Sequence, residues 1–465
     1  MASNAHTYYL LSLGCAKNTV DAEGMAQILA GAGFQGTDAP EAASVLIVNT
    51  CGFIAAARQE SLDALRALAA IKRPDQLLIA AGCLAQRYGV LLSQEVPELD
   101  GVIGTRRWMD ILDLIRRLRR RKHPEPLYHL PDEAQTVGTD ERGVLRAAIQ
   151  GASAYLKIAD GCRRPCAFCA IPQIKGTHVS RPPEVIVAEA ARLNAMGVKE
   201  IILISQDTTD YGHDLGLKDG LAFLLERILA VTPDVPWIRI MYAYPGYVTP
   251  RLIEVMASQQ RVLPYLDMPL QHGHREVLKR MRRPANVEWV YETVSRLREW
   301  MPDITIRTTF IVGYPGESEE EFEALLQFIT DLRFDRVGAF TYSYEVGTPS
   351  ALLPDQVAEE VKQARYERLM ETQQPISHQR NQQFVGKTLD VLIEGYDNGL
   401  SIGRSYRDAP EIDGLVIVEG RLPVGEIVPV RITGALTYDL IGTAAVAEHR
   451  APEDAVMLSR RARKP

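Results

Sequence analysis

Asp160-Gly161-Cys162-Arg163-Arg164-Pro165-Cys166-Ala167-Phe168-Cys169-Ala170-Ile171-Pro172 gathers three of the chain's six cysteines into eight residues, directly after an apolar segment that reads as a strand. Three thiolates on one short loop can hold three corners of an iron–sulfur cube, or three of the four positions around a zinc ion. A structural zinc site normally completes its tetrahedron, whereas a cluster with one cysteine-free iron keeps a position open for a ligand to chelate. The spacing therefore predicts a metal centre and favours iron–sulfur over zinc. Three unrelated buried cysteines are not expected at this density.

Around this loop, strand-like segments at 154–158, 200–205, 237–243, 265–269, 304–312 and 336–342 alternate with helical patterns. Six βα units predict a partial (β/α) barrel, whose functional residues belong at the C-terminal ends of the strands. The three-cysteine loop follows the first strand at that end. Gln206 and Asp207 follow the second strand, Tyr242 and Tyr244 the third, Gln271 and His272 the fourth. Arg307 and Thr309 lie on the fifth, before Gly313 and Gly316. Ser318 with Glu321 makes a capping box for the next helix. Taken singly, each polar group is as easily a cap, a turn or a satisfied core residue. His272 and His274 have no acidic or cysteine partner at ligand spacing and read as ordinary loop residues.

Toward the N-terminus, apolar runs at 8–13, 45–48 and 77–81 are each followed by a small-residue turn and a helical pattern, a βαβα series with a parallel sheet. Cys15, Cys51 and Cys83 all stand at strand ends, along the edge where open α/β sheets bind ligands. A single cysteine there is more often a packed small hydrophobe. Three in the same position predict a second metal site. A strand near 101–104 and a helix from Trp108 close the region. The basic run Arg116, Arg117, Arg119, Arg120, Arg121, Lys122 reads as a solvated helix end, with a ribosome or RNA contact as the other reading. The stretch 124–143, rich in Pro, Asp, Glu and Gly, reads as a linker.

Near the C-terminus, short β-rich runs at 388–394, 415–418, 427–433 and 439–446 predict a small antiparallel β-barrel of about five strands. Such barrels often bind nucleic acid, but residues 380–447 hold six basic against nine acidic side chains. That balance suits a basic protein partner better than a phosphate backbone.

A chain of 465 residues exceeds one ordinary core. The expected domains are 6–120 (α/β), a linker 121–146, the barrel 147–378, the small β-barrel 380–448 and a tail 449–465. The net charge of −7 gives no bulk attraction to nucleic acid. No apolar run approaches the ~20 residues of a membrane span, and no basic segment leads into an apolar one. A cytoplasmic protein with no membrane partner is expected, in a reducing compartment where six cysteines favour metal or redox chemistry over disulfides.

The Cys162, Cys166, Cys169 loop, with Phe168 before the last cysteine, resembles the CxxxCxxC signature of radical S-adenosylmethionine (SAM) enzymes. The three dispersed cysteines and the terminal barrel resemble the methylthiotransferase family, whose tail is a TRAM domain. SLGCAKNTVDAE at 12–23, NTCGFI at 49–54, GCLAQRY at 82–88 and GRSYRDAPEIDGLV at 403–416 look most like its RimO branch, the methylthiotransferases of small-subunit ribosomal protein S-twelve. Two places depart from the common pattern: Arg163 stands where Asn is frequent, and of Val179-Ser180-Arg181 only Arg181 keeps it.

The resemblance implies two [4Fe-4S] clusters. One is held by Cys162, Cys166 and Cys169 and binds SAM at its open iron. The other, auxiliary, cluster is held by Cys15, Cys51 and Cys83 and carries the sulfur. The implied reaction is methylthiolation of the β-carbon of an aspartate in that ribosomal protein, free or in the small subunit. A SAM-derived 5′-deoxyadenosyl radical abstracts the hydrogen, and sulfur is inserted from the auxiliary cluster, with SAM also the methyl donor. Phe168, Gln206, Asp207, Arg307 and Gly313 are the candidate cofactor-contacting positions, and no catalytic residue beyond the cluster ligands is assigned. An electron donor protein and a sulfur donor are implied partners, and nucleic acid is not required for binding. The competing expectations are a tRNA methylthiotransferase and a non-enzymatic zinc-stabilised RNA- or ribosome-binding protein.

Overall fold

The computed structural model describes residues 6–120, 125–131 and 142–445. They form two compact units, the first ending at Arg380 and the second starting at Asn381.

The first unit contains two sheets. Its N-terminal sheet is wholly parallel, with β1 (Thr7–Ser12), β2 (Gln35–Gly36), β3 (Val45–Thr50), β4 (Leu77–Ala81), β5 (Gly101–Gly104) and β6 (Leu127–His129) in the order β2-β1-β3-β4-β5-β6. The central strand β3 is buried at every position. That explains its unbroken apolar start, because a parallel strand covered on both faces has no side to expose. Ile47 and Ile79 face one core with Met25 and Trp108. Leu46 and Leu78 face the other with Leu65 and Leu84. Gly24 sits against Trp108, whose ring would lie 2.3 Å from a Cβ there.

The segment expected to be a linker contributes β6, an edge strand paired to β5. Three residues flanked by Pro and charged groups carry no alternation to betray a strand. The helix expected from Trp108 starts later, at Ile111–Arg120, after a 3-10 turn over Thr105–Asp110. Asp110 at that junction binds Arg107 (2.8 Å), His129 (2.8 Å) and Arg142 (3.0 Å), tying the turn to β6 and to the chain entering the barrel. Arg121 and Lys122 of the basic run, residues 132–141 of the linker and the tail from 446 lie outside the described residues.

The second sheet holds β7 (Ala147–Gln150), β8 (Ser153–Lys157), β11 (Glu200–Ile204), β12 (Trp237–Ile240), β13 (Val262–Asp267), β14 (Thr305–Val312) and β15 (Arg336–Thr341), in the order β15-β14-β13-β12-β11-β8-β7. The six expected strands are all present and parallel, each followed by helical crossovers. β15 and β7 stand at opposite ends of the order, so the barrel is partial. β7 was not expected: Ala-Ala-Ile-Gln lacks a period of two, and the strand exists as the antiparallel arm of a hairpin turning at Gly151 (φ +58). A two-stranded pair, β9 (Ala159–Asp160) with β10 (Val179–Ser180), closes the base of the cysteine loop between them.

The second unit is a closed barrel, β16 (Thr388–Asp397), β17 (Leu400–Ser405), β18 (Val416–Glu419), β19 (Ile427–Ala435) and β20 (Leu440–Ala444), ordered β16-β17-β18-β20-β19. It is not wholly antiparallel, since β18 and β20 run parallel. No helix among the described residues is long and apolar enough to cross a membrane.

Candidate active site with two cysteine triads

Each N-terminal cysteine stands where a parallel strand turns into a helix. Cys15 caps the helix Ala16–Gly31, Cys51 directly follows β3, and Cys83 is the second residue of the helix Gly82–Tyr88. The three turns close on one another only because glycines lie between them. A Cβ at Gly14 (φ +90) would come 2.9 Å from Cys51 Sγ, and one at Gly82 (φ +93) 2.4 Å from Asn49 Oδ1. Asn18 stitches all three segments. Its Nδ2 donates to Leu13 O and Thr50 O, both at 3.0 Å, and its Oδ1 lies 3.5 Å from Cys83 Sγ. Ser61 holds Cys51 through both backbone groups at 2.9 Å. Burial pushes the Cys83 thiol up to about 12; Lys175 opposes the shift, and Cys15 and Cys51 add to it. Burial raises Cys51 as well, with Cys15 again contributing.

The loop triad has a comparable frame. Gly161 (φ +71) is fixed as glycine because a Cβ would fall 1.9 Å from Thr177 O. The Arg164 N–H donates to Cys162 Sγ (3.4 Å), Arg283 Nη1 to Cys166 Sγ (3.5 Å), and the Tyr244 hydroxyl lies 3.6 Å from Cys166 Sγ. Arg164 is buried against Asp207 (2.6 Å) and Asp210 (3.2 Å), with its guanidinium 3.7 Å from the Tyr247 ring centroid. Burial pushes Cys162 up to about 11 and Cys169 up to about 12, and Cys166 adds to both.

Thiols raised this far are protonated at neutral pH unless a bound cation deprotonates them. All six cysteines are free, so each can serve as a ligand. Among the described residues no three His, Cys, Asp or Glu side chains are gathered tightly enough to hold a single ion. Two sets of three thiols, each short of a fourth cysteine, fit iron–sulfur cubes that keep one iron open better than zinc, whose structural sites complete their tetrahedron.

A buried ionic network joins the segments that carry the two sets of cysteines. Lys157 of β8 and Lys175 of the helix Ile171–Lys175 both bind Asp21, the latter at 2.9 Å. Asp160 receives Arg146 at 2.7 Å and Lys157 at 3.1 Å. Cys83 itself packs on Ala170 and Ile174, just past the loop triad. A second latch joins Arg87, four residues after Cys83, to Glu345 (2.7 Å) and Val346 O (2.9 Å) in the segment after β15. Beside it opens a cavity of about 690 Å³ lined by Phe53 and Ile54 from the Cys51 turn and by Phe168, Gln271, Thr309 and Tyr342 from the barrel. Tyr242 (φ +64) and Gln271 (φ +75) hold left-handed backbone conformations after β12 and β13, strain of the kind concentrated at functional sites.

Three family models match the chain: the radical SAM superfamily over 156–329, uncharacterized protein family UPF0004 over 7–104 and the TRAM domain over 385–445. The ribosomal protein uS12 methylthiotransferase RimO of Chloroflexus aurantiacus is 51% identical, over 94% of this chain and 99% of that protein. The chain belongs to the RimO methylthiotransferase family. Its RimO relative from Synechocystis is 47% identical over 93% of this chain and 96% of that one. Among solved structures, the radical SAM methyltransferase TsrM from Kitasatospora setae superposes with a TM-score of 0.53 at 16% identity, covering 75% of this chain and 74% of that chain, a likeness of fold.

In this RimO-family enzyme the other sequence-predicted positions fare unevenly. Phe168 lines the cavity. Gln206 Oε1 is buried with no hydrogen-bond partner among the described residues. Asp207 is already engaged by Arg164 and by Thr209 (2.6 Å), and Arg307 by Asp267 (2.9 Å). Gly313 (φ +68) is required by packing, since a Cβ would lie 2.3 Å from Lys362 Cγ. His272 and His274 do have acidic neighbours, Glu317 at 3.5 Å and Glu321 at 3.6 Å, brought in by the fold from some forty residues away. Lys17, Asn18, Asp21, Lys157 and Lys175 were missed. For the first three the available signal was a run of polar side chains in the first turns after Cys15, of which Lys17, Asn18 and Asp21 are buried in the fold.

Proposed function

We propose that this enzyme methylthiolates the β-carbon of an aspartate in small-subunit ribosomal protein uS12. The observation that carries the reading is the pair of triads. Three strand-end cysteines and three loop cysteines are tied together through Asn18, Asp21 and Lys175, beside one cavity. Cys162, Cys166 and Cys169 would hold the cluster that takes SAM, and Cys15, Cys51 and Cys83 the auxiliary one. When bound, the first supplies hydrogen-atom abstraction from an unactivated carbon and the second supplies the sulfur.

The chain's own residues do the rest. Arg164 and Arg283 donate to the loop thiolates and offset their charge. Gln206 offers a buried carbonyl oxygen to a donor, and Phe168 an apolar wall. Arg307 and Asp207 support ligands through their fixed partners, and the bend at Gly313 sets the segment after β14. The ionic network joins the helix that follows Cys15 to β8 and to the helix that follows Cys169.

Domain limits at 6–120, 147–378 and 380–448, a cytoplasmic location, an electron donor protein and a sulfur donor belong to the same reading. The charge of the second unit favours a protein substrate over tRNA. Of the five basic side chains at 381–445, set against nine acidic ones, Arg404 and Arg407 are buried, Arg404 on Glu394 (2.7 Å) and Arg407 on the Phe384 ring (3.9 Å), which leaves the surface of the described residues acidic and repellent to phosphates. Anaerobically reconstituted protein should carry about eight irons per chain and release 5′-deoxyadenosine from SAM. A colourless protein with bound zinc overturns the reading.

A further inference from the structure

Lys17 is the second residue of the helix that Cys15 caps, and its side chain is only 7% exposed. Every other lysine buried nearby has a carboxylate: Lys157 and Lys175 share Asp21 and Asp160. Lys17 has no ion pair or hydrogen bond to its ammonium among the described residues. Its Nζ lies over the Tyr242 ring, 2.9 Å from the centroid. Tyr242 is rigid, with its N–H on Asp267 Oδ2 (3.1 Å) and its carbonyl accepting from Thr208 N (3.1 Å).

The acidic groups that act on its charge, Cys15 and Asp267, make no ion pair or hydrogen bond with it among the described residues, and a buried ammonium whose donors are unused is costly unless an arriving anion takes them. The place narrows the choice. Lys17 stands two residues from Cys15 and on a tyrosine two residues past the end of β12, so it spans the auxiliary triad and the barrel mouth. The sulfur is delivered there to the β-carbon of an aspartate, and the side-chain carboxylate is one bond away from that carbon. A cation adjoining the triad meets the carboxylate whenever the β-carbon is in position.

We propose that Lys17 is a specificity-determining residue that binds the side-chain carboxylate of the target aspartate, with the Tyr242 ring holding the ammonium in place until it does. This rests on the uS12 reading above. It explains how an aspartate is chosen over an asparagine or a leucine of similar size. A charge-assisted bond in a desolvated site discriminates strongly against a neutral analogue.

The test is binding to the reconstituted holoenzyme by uS12 and by uS12 in which the modified aspartate, located by mass spectrometry of the wild-type product, is replaced with Asn. Wild-type enzyme should hold the Asp form about tenfold or more tighter. Lys17→Met and Lys17→Gln should reduce that ratio to near one, and Lys17→Arg should keep most of it. An unchanged ratio in both neutral variants overturns the proposal. So does loss of auxiliary-cluster absorbance in both, which would mark Lys17 as a counter-charge for the thiolates. Failure of wild-type enzyme to bind or modify uS12 overturns the substrate reading and this proposal together, and it shows in the wild type alone.

Discussion

Lys175 Nζ lies 2.9 Å from Asp21 Oδ2, and that contact links the two cysteine segments: Lys175 is six residues past Cys169 and Asp21 six past Cys15. Asp21 also binds Lys157, so one carboxylate anchors two barrel lysines to the N-terminal sheet. Asp21→Asn should leave buried cations facing Asp160 alone and destabilise the apoprotein by about 3–5 kcal/mol. Arg66→Ala, which breaks an exposed pair with Glu95, should cost under about 1 kcal/mol in the same denaturant titration. Equal effects would show that the network does not join the two halves.

Cys51→Ala separates the two triads chemically. Iron content should fall from about eight to about four per chain, with 5′-deoxyadenosine release largely retained and methylthio insertion abolished. Loss of both activities together would contradict two separable sites.

Asp110 predicts the acid limb of stability. Burial pushes its carboxyl up, but hydrogen bonds from Arg107 and His129 outweigh this and hold it below the ordinary range. A depressed carboxyl stabilises the fold fully above its unfolded value of about 3.9, and that contribution is lost as pH falls through the folded value. Asp110→Asn should therefore flatten the fall of unfolding free energy below about pH 4. An unaltered slope would place the acid sensitivity elsewhere.

Arg87 tests the latch beside the cavity. Arg87→Gln strands Glu345, which is buried, and frees the segment after β15 from the Cys83 helix. Methylthio insertion should drop roughly tenfold or more while 5′-deoxyadenosine release is retained, because misplacement by about 1 Å is enough for losses of this size. A parallel fall in both activities would assign Arg87 to general stability.

The cysteine spacing and the alternation of strands with helices made the fold legible, with Cys15, Cys51 and Cys83 at strand ends and Cys162, Cys166 and Cys169 on one loop. A loop of three thiols and three strand ends are local patterns, and periodicity is a local signal. The ionic network was not legible, because Asp21 meets Lys157 and Lys175 across more than a hundred residues of sequence. Nor were the acidic partners of His272 and His274, which the crossover after β14 brings in. β6 and β7 were missed for a different reason. Short edge strands are set by the neighbour they pair with, and their own composition says little.

The most direct measurement offers the reconstituted holoenzyme ribosomal protein uS12 and tRNA side by side, with SAM, reductant and sulfide, and reads both by mass spectrometry. A methylthio increment on an aspartate of uS12, with tRNA unchanged, is the predicted result. Modification of tRNA with uS12 left unmodified would contradict it.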